Sequence, residues 1–257
     1  MEGFLVTQSL PFAPGNYHHA PGVFQYSSGV IADPGYAIRR VRFLTPLPLA
    51  EGFARIEAHL RAEGRPTTAF CACELRSPAP FDDAGFIAFN RVYVSTLERW
   101  GIARGDANPV ARSNVCPKVA PPAVPSLYAF SYTVPLPAGV PAAPSFIVSG
   151  SAEAPEGKGG YAGHVIRAGD VSPDGLRDKM RWVLGEMERR MGMLGVGWRD
   201  VGSTHVYTVH DIHPLIESEL LPRGAAPGGI TWHFVRPPVD ILDYEMDVRR
   251  VFDDRVL

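Results

Sequence analysis

The segment Asn108-Pro-Val-Ala-Arg-Ser-Asn-Val-Cys116 carries one arginine, Arg112, between small and apolar neighbours, in an extended stretch after a proline-punctuated loop. A guanidinium there is costly to bury alone. It calls for a carboxylate or phosphate, and its planar fork suits a bidentate carboxylate best. The structural alternative is an ordinary strand arginine paired with a nearby Asp or Glu. Towards the other end, Leu242-Asp-Tyr-Glu-Met-Asp places Asp243, Glu245 and Asp247 on one face of an expected strand. A row of acids like that ordinarily faces solvent. His205, His210, His213 and His233 crowd the second half, but no Glu-bearing zinc motif accompanies them, so no metal site is expected. His233 lies on an expected strand, where it can face a cleft and titrate near neutral pH. Cys116 has no evident His/Asp partner that would make it a nucleophile. Tyr17 and Asn90, taken alone, are packing or capping residues. Gly157-Lys-Gly-Gly160 lacks the Gly-Lys-Ser/Thr ending of a phosphate loop.

The elements that position these residues follow a pattern that occurs twice. Residues 1–22 are loop-like, framed by Pro11, Pro14-Gly15 and Pro21-Gly22. Strands are expected at 24–31 and 38–44. A helix follows over 49–63, where Phe53, Ile56 and Leu60 fall on one face and Gly64 sits at the C′ position. The 67–75 stretch predicts a strand with Cys71 and Cys73 on one face. A second helix runs to Trp100, capped by Asp82 or Asp83. The Arg112 strand and a strand at 126–134 close the first half. Residues 135–144 hold four prolines and a glycine and predict a stiff interdomain linker.

The second half repeats the order. A strand at 145–151 ends in a small-residue turn, and a helix begins at the cap pair Ser172-Pro173 and runs to about Leu194. A strand at 201–209, a short helix at 211–221, and strands at 230–235 and 241–248 joined through Pro237-Pro238 complete the chain. The spacing therefore predicts an α+β protein of two like domains, 1–134 and 145–257.

Composition sets the remaining bounds. The 257 residues, 46% hydrophobic and 20% charged with a formal net charge of −2, argue against an electrostatic nucleic-acid binder. No apolar run approaches bilayer-spanning length, and the amino terminus has no basic and apolar leader pattern. Three cysteines with no Cys-x-x-Cys pattern fit a reducing cytoplasm.

In the order of its motifs the chain resembles the reactive-intermediate deaminase family (RidA/YjgF-like), as a tandem fusion. Phe86-Ile-Ala-Phe-Asn90-Arg-Val-Tyr93 looks like that family's "F-x-x-x-N-x-x-Y" helix, and Ala111-Arg112-Ser113 looks like its "P-A-R-S" segment. Tyr17 lies where the family has a tyrosine in a "G-P-Y-S" turn. Ser27-Ser28-Gly29 and Val148-Ser149-Gly150-Ser151 both resemble its "S-G-Q", and Phe234-Val-Arg-Pro-Pro to Glu245 resembles "V-A-R-L-P" and the acidic strand after it.

The resemblance implies two tandem chorismate-mutase-like domains, each a mixed sheet backed by two helices, in a trimeric arrangement. It also implies cofactor-free hydrolysis of a small carboxylated enamine or imine, such as a 2-aminoacrylate- or 2-aminomuconate-like compound. Arg112 would hold the carboxylate and Glu245 would handle the water and leaving-group protons. Tyr17, Ser149, Gly150, Asn90, Cys116 and His233 would shape the pocket. Two departures matter. Gly228-Gly229 replaces the arginine in the second half, and the first half lacks the acid, so a complete set needs Arg112 from one half and Glu245 or Asp243 from the other. Cys116 stands about two residues beyond the family's usual strand cysteine. Chorismatases, also tandem RidA-like proteins, are a second resemblance through Ser149-Gly150-Ser151-Ala152, with Glu245 as the acid of an enol-ether hydrolase. A non-catalytic metabolite-binding protein is the third reading, in which no acid reaches the Arg112 cleft.

Overall fold

Helices form where apolar spacing and caps agree. The computed structural model describes residues 9–257 apart from Ala142 and Gly159; the loop reading of residues 1–8, and Gly159 of the glycine-rich loop, lie outside the described residues. Helix α1 (Leu49–Ala62) buries Phe53, Ile56 and Leu60, each worth roughly 1.5–3 kcal/mol relative to exposure. Helix α2 (Asp83–Arg99) is capped by Asp82, whose carboxylate accepts from the Gly85 N–H at 2.6 Å. Helix α3 (Pro173–Met193) is capped by Ser172 and buries the expected stripe of Leu176, Met180, Val183, Met187 and Met191. The short helix expected at 211–221 is one turn, His213–Leu215, continued irregularly to Arg223. Pro214 and Pro222 leave too little chain between them for a regular helix. No helix among the described residues is long and apolar enough to cross a membrane.

The strands are β1 (Leu10–Phe12), β2 (Tyr17–Ala20), β3 (Gly29–Ala32), β4 (Tyr36–Pro48), β5 (Phe70–Arg76), β6 (Ala111–Pro117), β7 (Ser126–Pro135), β8 (Phe146–Ala152), β9 (Ser203–Tyr207), β10 (Ile230–His233), β11 (Val235–Arg236), β12 (Glu245–Arg250) and β13 (Asp253–Val256). They form two mixed sheets, ordered β11-β6-β5-β7-β4-β13 and β1-β2-β3-β8-β12-β9-β10. The sheets exchange edges. Strands β1 to β3, from the first half, extend the sheet built on β8 and β12. Strands β11 and β13, from the second half, flank the sheet built on β4 to β7. Helices α1 and α2 cover one outer face and α3 the other. The inner faces meet through Tyr17, Val30, Ile38, Cys71, Ala72, Ala111 and Ile147.

Several expectations change. The 11–22 stretch holds the β1–β2 hairpin instead of loop alone. The strands expected at 230–235 and 241–248 do not pair with each other, because β9 lies between β10 and β12, and β11 crosses to the other sheet. Cys71 and Cys73 belong to opposite faces of β5, because its pairing with β7 shifts between Phe70 and Ala72.

A polar ladder joins the inner faces. Glu74 on β5 pairs with Arg40 at 2.6 Å and with Arg249 on β12, and Arg249 pairs with Asp247 at 2.7 Å. Asp247 in turn accepts from Ser113 Oγ at 2.7 Å and from the Tyr207 hydroxyl at 2.6 Å. The acidic face expected to meet solvent is therefore buried: Asp247 pairs with Arg249 of its own strand, and Asp243 with the buried Lys179 of α3 at 3.0 Å. Burial alone would raise the Glu74 carboxyl, but Arg249 and Arg40 outweigh it and hold it well below the usual carboxylate range. Asp247 is lowered in the same way by Arg249 and His205 against burial. The stabilisation these two acids give is present above the unfolded carboxylate range, near pH 4, and is lost as pH falls towards their depressed folded values. Glu74→Ala leaves two buried guanidinium groups short of an anion and is expected to cost about 3–5 kcal/mol in urea unfolding. It should also flatten the acid limb of the stability profile. A loss under about 1 kcal/mol would show that the ladder is not what couples the sheets.

Candidate functional site

The site lies where β6 of one sheet approaches β8 of the other. Ser149 ties the two together: its Oγ accepts from the Arg112 N–H at 3.0 Å, and its O–H donates to the Ser27 carbonyl at 2.6 Å. Ser27 also donates its N–H to the Val110 carbonyl at 2.9 Å. Strand β8 carries one extra residue at this point, since Met246 pairs with Ser151 but Val248 pairs with Val148. Gly150 sits in that bulge. A Cβ there would fall on Glu245 Oε1, and 3.2 Å from Ser113 Oγ, so the missing side chain is the space that the Glu245 carboxyl occupies.

Arg112 and Glu245 thus line one small cavity of about 30 Å³, together with Asn114, Gly150, Tyr26 and Phe86. That volume accommodates water-sized groups. Tyr26, Phe86, Glu156 and Tyr161 also line a neighbouring outer chamber of about 510 Å³. The inner cavity has a polar end at Arg112, Asn114 and Glu245 and an apolar wall that includes Ala154, Val239 and Leu242.

Arg112 is 3% exposed, and among the described residues no carboxylate lies within ion-pairing distance of it. It is held instead by the Asn90 amide oxygen and by the rings of Tyr26 at 4.8 Å, Tyr93 at 5.1 Å and Phe86 at 5.7 Å. The ordinary paired-arginine reading therefore fails: the buried cation has rings and an amide around it and a cavity in front. Glu245 is 4% exposed, and no hydrogen bond to its carboxyl is found among the described residues. Burial first, and the neighbouring Asp247 second, push it well above the usual carboxylate range, with Arg112 opposing them. The shift favours the protonated, neutral form of the acid. A cation with no counterion and a carboxyl biased towards its neutral form line one cavity, which suits an anionic substrate that must accept a proton.

The remaining expected residues divide. Gly150 lines the cavity. Ser149 and Asn90 do not, and act on Arg112 from behind. Tyr17 is fully buried between the sheets, packs on Phe12 at 5.2 Å and directs its hydroxyl to the Phe70 carbonyl, so it does not reach the cavity. Cys116 is also off the cavity, and burial pushes its thiol up to about 12, which makes it inert. His233 packs against both His205 and Tyr207, at 5.3 and 4.9 Å, and shares a hydrogen bond with His205 at 3.0 Å. Burial and Arg76 lower it to about 4, so it neither faces the Arg112 cavity nor titrates near neutrality.

Five contributors lay outside the expected set: Tyr26, Glu156, Arg190, Tyr161 and the 238–242 turn. Tyr26 was placed within an expected strand, but the 23–26 stretch is a turn that aims its ring at Arg112. Its hydroxyl donates to Glu156 at 2.7 Å. Glu156 in turn pairs at 2.7 Å with Arg190, a fully buried helix residue that also donates to the Ser149 and Gly150 carbonyls at 3.1 and 3.3 Å. The available signal for Arg190 was a charged residue flanking the apolar stripe of α3, next to Met187 and Met191. Tyr161 and the 238–242 turn gave no signal before the fold was known.

Comparison with known proteins adds the following. The family described as "2-aminomuconate deaminase CnbZ" matches residues 9–255. A 2-amino-5-chloromuconate deaminase of Comamonas testosteroni is 53% identical over 249 residues, covering 97% of this chain and 99% of that one. A crystal structure of a chorismatase superposes with a TM-score of 0.52 at 11% identity, over 86% of this chain and 77% of the other, which is a likeness of fold.

Replacing a buried ion that lacks a partner with an apolar isostere relieves desolvation. Arg112→Met is therefore expected to match the parent in urea unfolding or exceed it by about 1–3 kcal/mol, even though cation–π contacts of about 1 kcal/mol each are lost. A variant more than about 2 kcal/mol less stable would mean that Arg112 is held for structure and not for a ligand.

Proposed function

The chain belongs to the 2-aminomuconate deaminase CnbZ family, and on that premise we propose that it hydrolyses a small unsaturated dicarboxylate enamine of the 2-aminomuconate type to the keto acid and ammonia. The observation that carries this reading is the pairing, in one cavity, of a buried arginine without a counterion and a buried carboxyl that burial biases towards its protonated form. Arg112 holds the carboxylate next to the amine-bearing carbon, charge-assisted and bidentate. The neutral Glu245 delivers its proton to the conjugated carbon of the enamine, leaving an iminium. That carbon is electrophilic enough to need no cofactor.

The Glu245 carboxylate then takes one proton from water as the water oxygen bonds to the iminium carbon. The resulting carbinolamine receives the proton back on nitrogen, the C–N bond breaks, ammonia leaves, and the hydroxyl proton returns to Glu245. One water is consumed, one ammonia is released, and the acid ends as it began. Arg112 supports the developing iminium carboxylate by position instead of chemistry, the larger part of the rate gain for such a bound pair.

The tandem RidA-like ancestry belongs with this proposal. It is supported by a helix-backed mixed sheet in each half of the chain and by the chorismatase likeness of the fold. Enol-ether hydrolysis would use the same neutral acid, but the family match favours the amine. A pure binding role is disfavoured by Glu245, since an acid does share the cavity with Arg112.

Purified protein offered 2-aminomuconate is expected to release ammonia. Arg112→Ala should lower kcat/KM by about two orders of magnitude, the worth of a lost charge-assisted hydrogen-bond pair. Glu245→Gln should lower kcat by about 10²–10⁴, the range for a lost general acid. In the parent, activity should fall as pH rises through the elevated Glu245 value, because the donor form is the protonated one. No ammonia from the parent would sink the deaminase reading. An unchanged rate in Glu245→Gln would leave the reaction class standing and remove Glu245 as its acid.

A further inference from the structure

Asn114 stands two residues beyond Arg112 on β6, so their side chains share a face about 7 Å apart along the strand. It is 3% exposed and lines the same cavity as Arg112 and Glu245. Its amide is not free to turn. The Ser77 hydroxyl donates to Asn114 Oδ1 at 3.0 Å, and Ser77 is itself anchored by its N–H on the Val115 carbonyl at 2.9 Å. With the oxygen occupied, the NH₂ end is directed away from Ser77, and among the described residues Asn114 Nδ2 has no hydrogen-bond partner. A buried amide donor left unpaired is destabilising, and native proteins keep few of them without a functional reason.

We propose that Asn114 Nδ2 is a second donor to the carboxylate held by Arg112, making a two-point clamp in which Arg112 supplies charge and Asn114 fixes the plane of the bound group. This rests on the deaminase reading for the identity of the anion and adds a binding residue to it. The choice of an uncharged donor fits the electrostatics of the cavity. A lysine or arginine at 114 would favour the ionised form of Glu245 and cost the site its proton donor. An acid at 114 would pair with Arg112 and fill the place of the ligand. An amide locked by Ser77 contributes a hydrogen bond while leaving both charge states as they are. Ser77 is then a positioning residue, acting through the orientation of Asn114.

The test uses muconate, the dicarboxylate without the amine, titrated by calorimetry into the full-length parent and into Asn114→Ala, Asn114→Asp and Ser77→Ala, with turnover of 2-aminomuconate measured alongside. Asn114→Ala is expected to weaken muconate binding by about 10- to 100-fold. It should raise KM by a similar factor with kcat little changed, the signature of binding lost equally from ground and transition states. Asn114→Asp should lose muconate binding while its Tm rises, because Arg112 gains a counterion. Ser77→Ala should show a smaller loss of the same kind. Muconate binding within about threefold of the parent in Asn114→Ala overturns the assignment, as does a parent that does not bind muconate. Binding that depends on Asn114 in a parent that releases no ammonia would uphold the clamp and overturn the deaminase reading instead.

Discussion

The structure depends on the hydroxyl of Ser149. It is the point where a strand of one sheet is fastened to a strand of the other, accepting from the Arg112 N–H and donating to the Ser27 carbonyl. Two sheets that face each other across an apolar layer can slide, because dispersion contacts are weakly directional. A buried hydroxyl with both of its roles used fixes the relative position of the backbones it joins. Because β6 and β8 are held in this register, a cation rooted in one sheet and an acid rooted in the other open onto the same small space. Gly150, in the β8 bulge, completes the arrangement by lacking the Cβ that would occupy the place of the Glu245 carboxyl.

Charge in this seam is divided into two kinds. Glu74, Arg40, Arg249 and Asp247 neutralise one another and tie the sheets together. Arg112 and Glu245 are left out of that exchange. Asp247 links the two sets: its charge, satisfied by Arg249, still stands near Glu245 and, after burial, adds to the upward shift of that carboxyl. Among the described residues Glu245 makes no ion pair with Arg112, so the ladder leaves both groups outside its exchange and facing one cavity. The stability lost to an unpaired buried guanidinium is offset by the rings of Tyr26, Tyr93 and Phe86, which lower the cost without supplying an anion.

Arg112 stood out locally as an arginine in an apolar strand, whereas Glu245 stood out only through the family resemblance, its own row of acids pointing to solvent; the structure brings the two to one cavity. The helices were legible through the caps Asp82 and Ser172 and the stripes of α1 and α3. What could not be read locally was which sheet each strand would join. Strands β1 to β3 read as a first-half loop and strand but complete the other sheet, and β11 leaves its neighbour β10 for β6. Pairing partners far apart in sequence are set by tertiary packing, and no propensity in the segment itself records them. The same blindness explains Tyr17 and His233. Each has a chemically capable side chain, and each is spent on the core, Tyr17 between the sheets and His233 in a stack with His205 and Tyr207.

The misreading of the Asp243, Glu245 and Asp247 row is the most informative. Alternating acids on a strand face imply solvent only if nothing polar lies opposite. Here the three acids meet three different environments within five residues. Asp243 is ion-paired with the buried Lys179 at 3.0 Å, Asp247 with Arg249 at 2.7 Å, and Glu245, between them, pairs with neither. Asp247 is the one opposite the bulge in β8, while the Glu245 carboxyl reaches over Gly150, where the missing Cβ leaves room instead of a cation. Its upward shift follows from that placement: burial over Gly150 without a cation, next to the charge of Asp247, pushes the Glu245 carboxyl up, while the acids on either side keep their ion-pair partners.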